Sequence, residues 1–292
     1  IWAAFDTAVA RKQTSVKDIT LGGRVIRATI SPVSNEKGCT VGAVGLFSDI
    51  TESERLERTR RDFVANVSHE LRTPLTALRG LIEPLRDGMV RSEEARVRYY
   101  NIILRETLRL SRLIDDLMEL SRLQSGRLSL ECGKVDMSII VEDLAEKYTS
   151  TAADKAQTFT LTPPPDQWPC VMANADRVEQ ILVILLDNAM KYTPEGGRIT
   201  LSVEKEGGKA VLRVSDTGVG IAEEDLPYVF DRFYKADKSH TGSGSGLGLS
   251  IAREILQQMG ENITVTSEKG RGSTFSFTLP LAVSVPAVKN AP

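Results

Sequence analysis

The chain has 292 residues, of which 41% are hydrophobic and 26% charged, and a net charge of −2. That length accommodates about two domains, and the near-neutral charge gives no bulk reason to expect nucleic acid or an anionic membrane as partner. Three scattered cysteines (Cys39, Cys132 and Cys170), with no C-x-x-C pair, argue against a disulfide framework or a zinc site.

In chain order, "RVIRATISPV" and "CTVGAVGLFSDI" alternate as strands, separated by the turn-like "SNEKG". Two strands do not make a domain, so residues 1–49 read as the end of a sheet that begins outside the sequence. The chain opens on Ile1 without an initiator methionine, and it is read as a fragment of something longer. It contains no apolar run of the ~18–20 residues that cross a bilayer, which leaves open how the parent protein is attached.

From Ile50 the composition turns charged and helical. Leu56, Phe63, Val67, Leu71, Leu75, Leu78, Ile82 and Leu85 form a heptad-type stripe, with Pro74 inside it and Pro84 near its end. Gly88 breaks the pattern, and Ser92 followed by Glu93 and Glu94 predicts the cap of a second helix over 93–124. Its stripe is Val97, Tyr100, Leu104, Thr107, Leu110, Ile114, Leu117 and Leu120. Two amphipathic helices with a short connection predict an antiparallel hairpin, and a second copy would cover the rest of its seam as a four-helix bundle. A solvated coiled-coil spacer is the alternative that periodicity leaves open.

A mixed α/β region follows. Helices are predicted over about 137–150, from Asp176 through "RVEQILVILLDNAMKYT", and over about 247–258. Strands are predicted at "RITLSVEKE", "KAVLRVSD", "NITVTSEK" and "STFSFTLP", with a further short strand before the loop "TPPPDQWP". Interleaved helices and closing hairpins predict a mixed-sheet α/β sandwich, with a frayed tail at 282–292.

Two regions carry chemistry. His69, one of only two histidines, sits beside Glu70 in "FVANVSHELRTPLTALRG". Pro74 removes the amide that would bond the carbonyl of Glu70, placing a predicted kink beside the histidine. His69 flanks the apolar positions Val67 and Leu71, so it projects outward, as a surface histidine or as a nucleophile. Thr73 stands where a second zinc ligand would be in H-E-x-x-H, so the metalloprotease reading fails.

The second region pairs "VSDTGVGI" with "GSGSGLGLS", the latter opening onto a helix. Glycines at a helix start let amides approach phosphate, although the spacing matches neither a P-loop nor a Rossmann fingerprint. With Asn188 and Lys191 on the preceding helix they predict a nucleotide pocket. There Asn188 offers an amide oxygen to Mg²⁺, Lys191 a charge to phosphate, and Asp216 an acceptor for the exocyclic amine of adenine. The segment "FDRFYKADKSHTGSGSG" has the composition of a lid, with His240 a solvated member of it.

Together these segments resemble a sensor histidine kinase of two-component signalling. "FVANVSHELRTPL" resembles the phospho-acceptor motif, "LLDNAMKYTPEGG" the asparagine motif, "DTGVGI" and "GSGLGLS" the two glycine motifs, and "FDRFYKAD" the phenylalanine motif. They stand in family order and cover residues 50–281. "GLFSDITESERLERTRRDF" further resembles the end of a PAS sensor domain entering its signalling helix.

The resemblance implies a multidomain α+β chain. Its parts would be a partial PAS-like segment (1–49), a signalling helix (50–62), a dimerisation and phosphotransfer domain (63–130) and a gyrase-like ATP-binding domain (131–281). It implies that His69 takes the γ-phosphoryl group of ATP, that Glu70 orients the imidazole, and that Thr73 helps place water for dephosphorylating the partner. Asn188 would hold Mg²⁺, Lys191 and Lys235 would meet phosphates, and Tyr192 would lie along the nucleotide. Asp216 would read adenine, while Gly218, Gly220, Gly244, Gly246, Leu247 and Gly248 would complete the ATP site. The implied partners are a response-regulator receiver and a second copy of the chain, with no nucleic acid. The implied setting is the cytoplasmic portion of a membrane-anchored bacterial sensor, attached only through parts outside this fragment.

The sequence departs from the family at Ile184, where a further asparagine is usual, at Pro84, and at "MGENITV", which replaces a double glycine without expected consequence. A clamp-type ATPase of the gyrase and mismatch-repair group would lack a use for His69 and would carry a catalytic glutamate near Asn188; none occurs between residues 180 and 194. A degenerate kinase acting as a scaffold is the non-enzymatic alternative, against which the intact His69, Asn188, Asp216 and glycines argue. A kinase whose phosphatase activity dominates overlaps with the main reading.

Overall fold

A computed structural model of the chain describes residues 2–125, 131–236 and 244–282. The chain divides into two compact units, 1–73 and 74–292.

The first unit contains α1 (Trp2–Arg11), β1 (Ser15–Leu21), β2 (Arg24–Ser34), β3 (Thr40–Asp49) and the first turns of α2 (Thr51–Arg86). The strands form one antiparallel sheet in the order β1-β2-β3, one strand more than the alternation predicts. Lys17 and Asp18 interrupt the apolar pattern of β1, and its register is held instead by cross-strand pairing, with Asp18 facing and ion-pairing Arg27. One sheet face buries Ala28 and Ile30, while the other leaves Val16, Val44 and Leu46 exposed. A Cβ at Gly45 would lie 2.7 Å from the Phe5 ring, so glycine there lets α1 lie close to the sheet.

The sheet is tied to α2 at its start. The Thr51 hydroxyl accepts the Val25 N–H at 2.8 Å and donates to Asp49 at 2.6 Å, and Asp49 also accepts the Thr51 amide. These Thr51 hydrogen bonds hold the Asp49 carboxyl below its usual range.

Helix α2 is one continuous element of 36 residues through both Pro74 and Pro84. Pro74 does not divide it and is its buried residue, and Pro84 lies two residues inside the helix end rather than marking it.

The second unit continues through α3 (Glu93–Gln124), capped at Ser92 as predicted, whose hydroxyl accepts the Ala95 amide. Much of the predicted seam is bare in the single chain: Leu75 is 53% and Leu104 58% exposed, and Ile82, Val97, Tyr100 and Ile114 are also exposed. The buried residues of α3 are Leu113, Leu120 and Leu123; Leu120 belongs to the predicted stripe, whereas Leu113 and Leu123 lie outside it.

Then come β4 (Gly133–Asp136), α4 (Met137–Asp154), β5 (Thr158–Thr162), β6 (Cys170–Ala173), α5 (Ala175–Tyr192), β7 (Arg198–Glu206), β8 (Lys209–Asp216), α6 (Gly248–Gln258), β9 (Ile263–Glu268) and β10 (Gly272–Pro280). The main sheet runs β5-β7-β8-β10-β9, with β5 parallel to β7 and the other pairs antiparallel. This is the mixed sandwich that the sequence predicts, with the unexpected small pair β4-β6 beside it. Alternation along the strands buries Ile199, Leu201, Leu212, Val214, Phe275 and Phe277 on one face. Helices α4, α5 and α6 lie beside one another against that sheet, and α5 buries Val178, Ile181, Leu182, Leu185 and Leu186.

The departure at "MGENITV" has a structural role. Gly260, at φ +75, ends α6 alone, with the Glu261 amide returning to the Leu256 carbonyl at 2.8 Å. A second glycine is therefore unnecessary, and the buried Glu261 carboxylate accepts from Lys209 at 2.8 and 2.9 Å and from the Thr278 hydroxyl. Glu261→Ala leaves these donors of β8 and β10 without their acceptor. It is expected to cost about 1–3 kcal/mol, read as a lower urea midpoint through Trp168 in a Trp2→Phe background.

Candidate nucleotide site and phospho-acceptor helix

Asp216 is the last residue of β8, and the two-residue period puts it on the face that buries Leu212 and Val214. Its carboxylate therefore points toward the helix layer at the sheet's end. Burial pushes its proton affinity up, opposed by hydrogen bonds from the Gly218 and Ser273 amides, the first at 2.8 Å.

The chain then turns against the end of α5. A Cβ at Gly218 would lie 2.4 Å from the Tyr192 carbonyl and 2.7 Å from Asp216 Oδ1, and the Val219 amide donates to that same carbonyl. Gly220, at φ +64, runs against the backbone at Glu268. The Ile221 amide donates to Ser267 Oγ, and the Gly270 amide to the Val219 carbonyl. The β9–β10 turn thus clamps the first glycine segment. Sequence reasoning took "EKGRGS" for a plain hairpin; its signal was the glycine pair flanking Arg271, with Gly272 at φ +114 against the Asp216 carbonyl.

Helix α5 supplies the opposite wall. Ile184, Asn188 and Lys191 recur at the 4- and 3-residue steps of one helix face. A Cβ at Gly248 would meet Ile184 at 3.3 Å, and one at Gly244 would meet the Lys191 amine at 2.9 Å. The second glycine segment therefore lies along the face that carries Asn188. The departure at Ile184 is explained here, because its side chain packs where α6 begins. Lys191 Nζ also lies 3.0 Å from the Tyr192 hydroxyl and over that ring.

Gly246, at φ +72, packs on the backbone of Phe233, whose amide donates to the Gly246 carbonyl. Leu247 is fully buried, so its side chain belongs to the core and only its backbone faces the loop. Lys235 is half-buried, two residues beyond Phe233. His240 and the centre of the predicted lid lie outside the described residues.

The phospho-acceptor residues lie on α2. His69 is exposed and Glu70 half-buried, and the Thr73 hydroxyl donates to the His69 carbonyl at 3.2 Å. Sequence reasoning also missed Tyr148, which is buried under α5 and donates to Asp187 at 2.7 Å. Burial and that carboxylate push the Tyr148 phenol well above its usual value.

A helical region with an exposed histidine, followed by a mixed sandwich whose glycine segments approach α5 at Ile184, Lys191 and Tyr192, is the architecture of a phospho-acceptor domain joined to a gyrase-like ATPase domain. Residues 59–126 match the His Kinase A (phospho-acceptor) domain, and residues 173–283 match the histidine kinase-, DNA gyrase B- and HSP90-like ATPase family. The chain belongs to the sensor histidine kinases of two-component signalling.

It is 36% identical to the sensor histidine kinase WalK of Bacillus subtilis over 260 residues, covering 88% of this chain and 42% of that protein. It therefore spans less than half the length of that relative. Among solved structures, the histidine kinase AdeS of Acinetobacter baumannii superposes with a TM-score of 0.59 at 27% identity, covering 73% of this chain and 98% of that one. Full-length ShkA, in complex with AMPPNP, superposes at 0.56 with 28% identity, covering 76% of this chain and 46% of that one.

The tight packing at Gly218 separates it from open glycines such as Gly133, where an added Cβ meets nothing. Gly218→Ala is expected to lower the melting temperature by several degrees, on the order of 2–3 kcal/mol, whereas Gly133→Ala leaves it within about 1 °C. Differential scanning calorimetry of the two variants checks the contrast.

Proposed function

We propose that this chain is the catalytic portion of a protein-histidine kinase that phosphorylates itself on His69 from ATP and passes the group to an aspartate of a response regulator. The observation that carries the reading is the α5 face Ile184–Asn188–Lys191, bracketed by Gly248 and Gly244 and closed at the other end by Asp216. In this reading it joins a cation, an amide oxygen, close-approaching backbone and a half-buried acceptor in one cleft. The AMPPNP bound in the ShkA structure supports a nucleotide there.

In this reading the Asp216 carboxylate accepts the exocyclic amine of adenine, which selects ATP over GTP. Tyr192, nearly half exposed, lies along the nucleotide, and Lys191 and Lys235 neutralise phosphate charge. Among the described residues no cluster of three or more His, Cys, Asp or Glu side chains could hold a metal. Asn188 alone therefore suits a cation whose other ligands are phosphate oxygens, and Mg²⁺ so held would supply charge neutralisation at the transferring phosphate.

A ring nitrogen of His69 attacks the γ-phosphorus. A nitrogen–phosphorus bond forms, the bond to the β–γ bridging oxygen breaks, and its electron pair leaves with ADP. Glu70 accepts the proton on the other ring nitrogen and so keeps the attacking lone pair free. Receiver phosphorylation then moves the group from the histidine nitrogen to a carboxylate oxygen, and Thr73 helps place the water that cleaves this acyl phosphate to carboxylate and inorganic phosphate. The exposed apolar positions of α2 and α3 support pairing of two copies through these helices.

No helix among the described residues is long and apolar enough to cross a membrane. In the same reading the β1–β3 sheet is the sensory module's end, and the Asp49–Thr51 joint carries its state into α2. The clamp-type ATPase is disfavoured because the one carboxylate beside Asn188, Asp187, accepts from Tyr148.

Incubation with γ-labelled ATP and Mg²⁺ is expected to label the chain with acid-labile, alkali-stable phosphate, and His69→Gln and Asn188→Ala are expected to take up none. Steady phosphate release that survives His69→Gln would instead establish the clamp ATPase. Asp216→Asn should weaken ATP binding about 10- to 100-fold, as one hydrogen bond to a charged group is worth roughly 1.5–3 kcal/mol.

The pH dependence has a definite sign. The ionised carboxylate accepts the amine more strongly than the neutral acid, and burial raises its pKa, so affinity falls as pH drops toward that raised value and Asp216→Asn flattens the profile. Stability moves oppositely, because the native state holds this proton more tightly than the unfolded chain. The contribution of Asp216 therefore declines as pH rises from 3.8 through the raised pKa.

A further inference from the structure

The C-terminal half of α3 is joined to the ATP-binding domain by contacts that the phosphotransfer reading does not use. Asp116, on the same helix face as the buried Leu113, Leu120 and Leu123, accepts the hydroxyl of Ser245 at 2.7 Å. Ser245 stands between Gly244 and Gly246 in the second glycine segment, and its oxygen in turn accepts the Leu247 amide at 3.2 Å. Leu247 is the N-cap residue of α6 and its own side chain caps nothing. The amide that opens this helix is thus engaged by a serine that a carboxylate holds from another helix.

Two further contacts extend the junction. Glu119, one turn along α3, ion-pairs with Arg177 near the start of α5, with side chains 18% and 17% exposed. The Gln258 amide near the end of α6 donates to the Leu123 carbonyl.

The charge at this junction has a consequence. A helix N-terminus carries positive potential and unpaired amides, which is what a phosphate chain would use. Here that end faces a carboxylate through Ser245. A nucleotide's phosphates reaching the Gly244–Gly248 segment would bring further negative charge toward Asp116 and compete for the Leu247 amide. Burial raises the proton affinity of Asp116, opposed by the Ser245 hydrogen bond, with the neighbouring Asp115 adding to the rise and Arg112 countering it.

We propose that the Asp116–Ser245 contact is an autoinhibitory latch, in which α3 holds the glycine segment and must let it go for nucleotide to bind. The proposal rests on the nucleotide reading of this cleft. Glu119–Arg177 and Gln258–Leu123 are the hinge side of the same docking, away from the glycine segment. Nucleotide binding and release of α3 are then thermodynamically linked, and any input that shifts α3 changes affinity for ATP.

The test is the affinity of the whole chain for AMPPNP by isothermal titration calorimetry. Asp116→Ala and Ser245→Ala are expected to tighten binding roughly 5- to 50-fold, with the double variant no tighter than the better single one. Arg177→Ala, which touches no glycine, is expected to tighten it as well by loosening the docked helix. Unchanged or weaker binding in both Asp116→Ala and Arg177→Ala, with the parent chain still binding, overturns the latch and makes the junction a support. Absence of binding in the parent chain and all variants, with melting temperatures intact, removes the nucleotide reading itself.

Discussion

The ATP-binding domain depends on one close approach, that of the Asp216–Gly218 turn to the last turn of α5. The Tyr192 carbonyl is left over at a helix C-terminus, and the Val219 amide satisfies it only because Gly218 lets the backbones meet. That contact fixes where the sheet ends relative to α5. It sets the Asp216 end of β8 beside the end of α5, where Lys191 adjoins Tyr192 and Asn188 lies one turn earlier on the same helix. Gly272 at the head of β10 repeats the device against the Asp216 carbonyl, and the β9–β10 turn holds the segment from the far side. A cleft made this way is shaped by backbone, so few side chains are needed to define it.

The sequence made the regular parts legible because each has a strong local signal. The two-residue period of "RITLSVEKE" and "KAVLRVSD" returns as β7 and β8 with those same ends, and the Ser92 cap opens α3. The elements that escaped lack such a signal. Strand β1 carries charges within its apolar pattern and is specified by its partner β2. The pair β4-β6 has four residues in each strand, too short for a period to declare itself. Positions on α3 were misassigned for another reason. A heptad stripe assumes one partner surface along a helix, whereas α3 leaves Tyr100 and Leu104 exposed on one face and, beside the stripe residue Leu120, buries Leu113 and Leu123 from outside it.

The candidate site shows the same division. Motif spacing picked out the glycine segments, Asn188 and Asp216 as candidates, since close backbone approach and a half-buried acceptor each demand a particular residue type. It left out groups that pack beside them: Tyr148, which donates to Asp187, and Ser267, which accepts the Ile221 amide. These act through long-range contacts that serine and tyrosine make in many settings, so no local pattern marks them. The departures Ile184 and Glu261 are instructive because each loses a polar or flexible residue and gains a packing or pairing role. Ile184 fills the space beside Gly248, and Glu261 uses the position after a single helix-ending glycine.

Helix α3 therefore has two allegiances. Its exposed apolar face suits a second copy of the chain, and its C-terminal face is committed to α5 and α6 through a hydrogen bond, an ion pair and a backbone acceptor. A rigid helix serving both surfaces transmits rotation, because turning one face toward its partner turns the other away. The contact most sensitive to such a turn is the one with directional geometry, Asp116 to Ser245, since apolar packing tolerates a small slide and a 2.7 Å hydrogen bond does not. That bond ends in the segment that approaches Lys191 and Ile184. The physical route from helix orientation to the cleft is therefore three residues long: Asp116, Ser245 and the Leu247 amide.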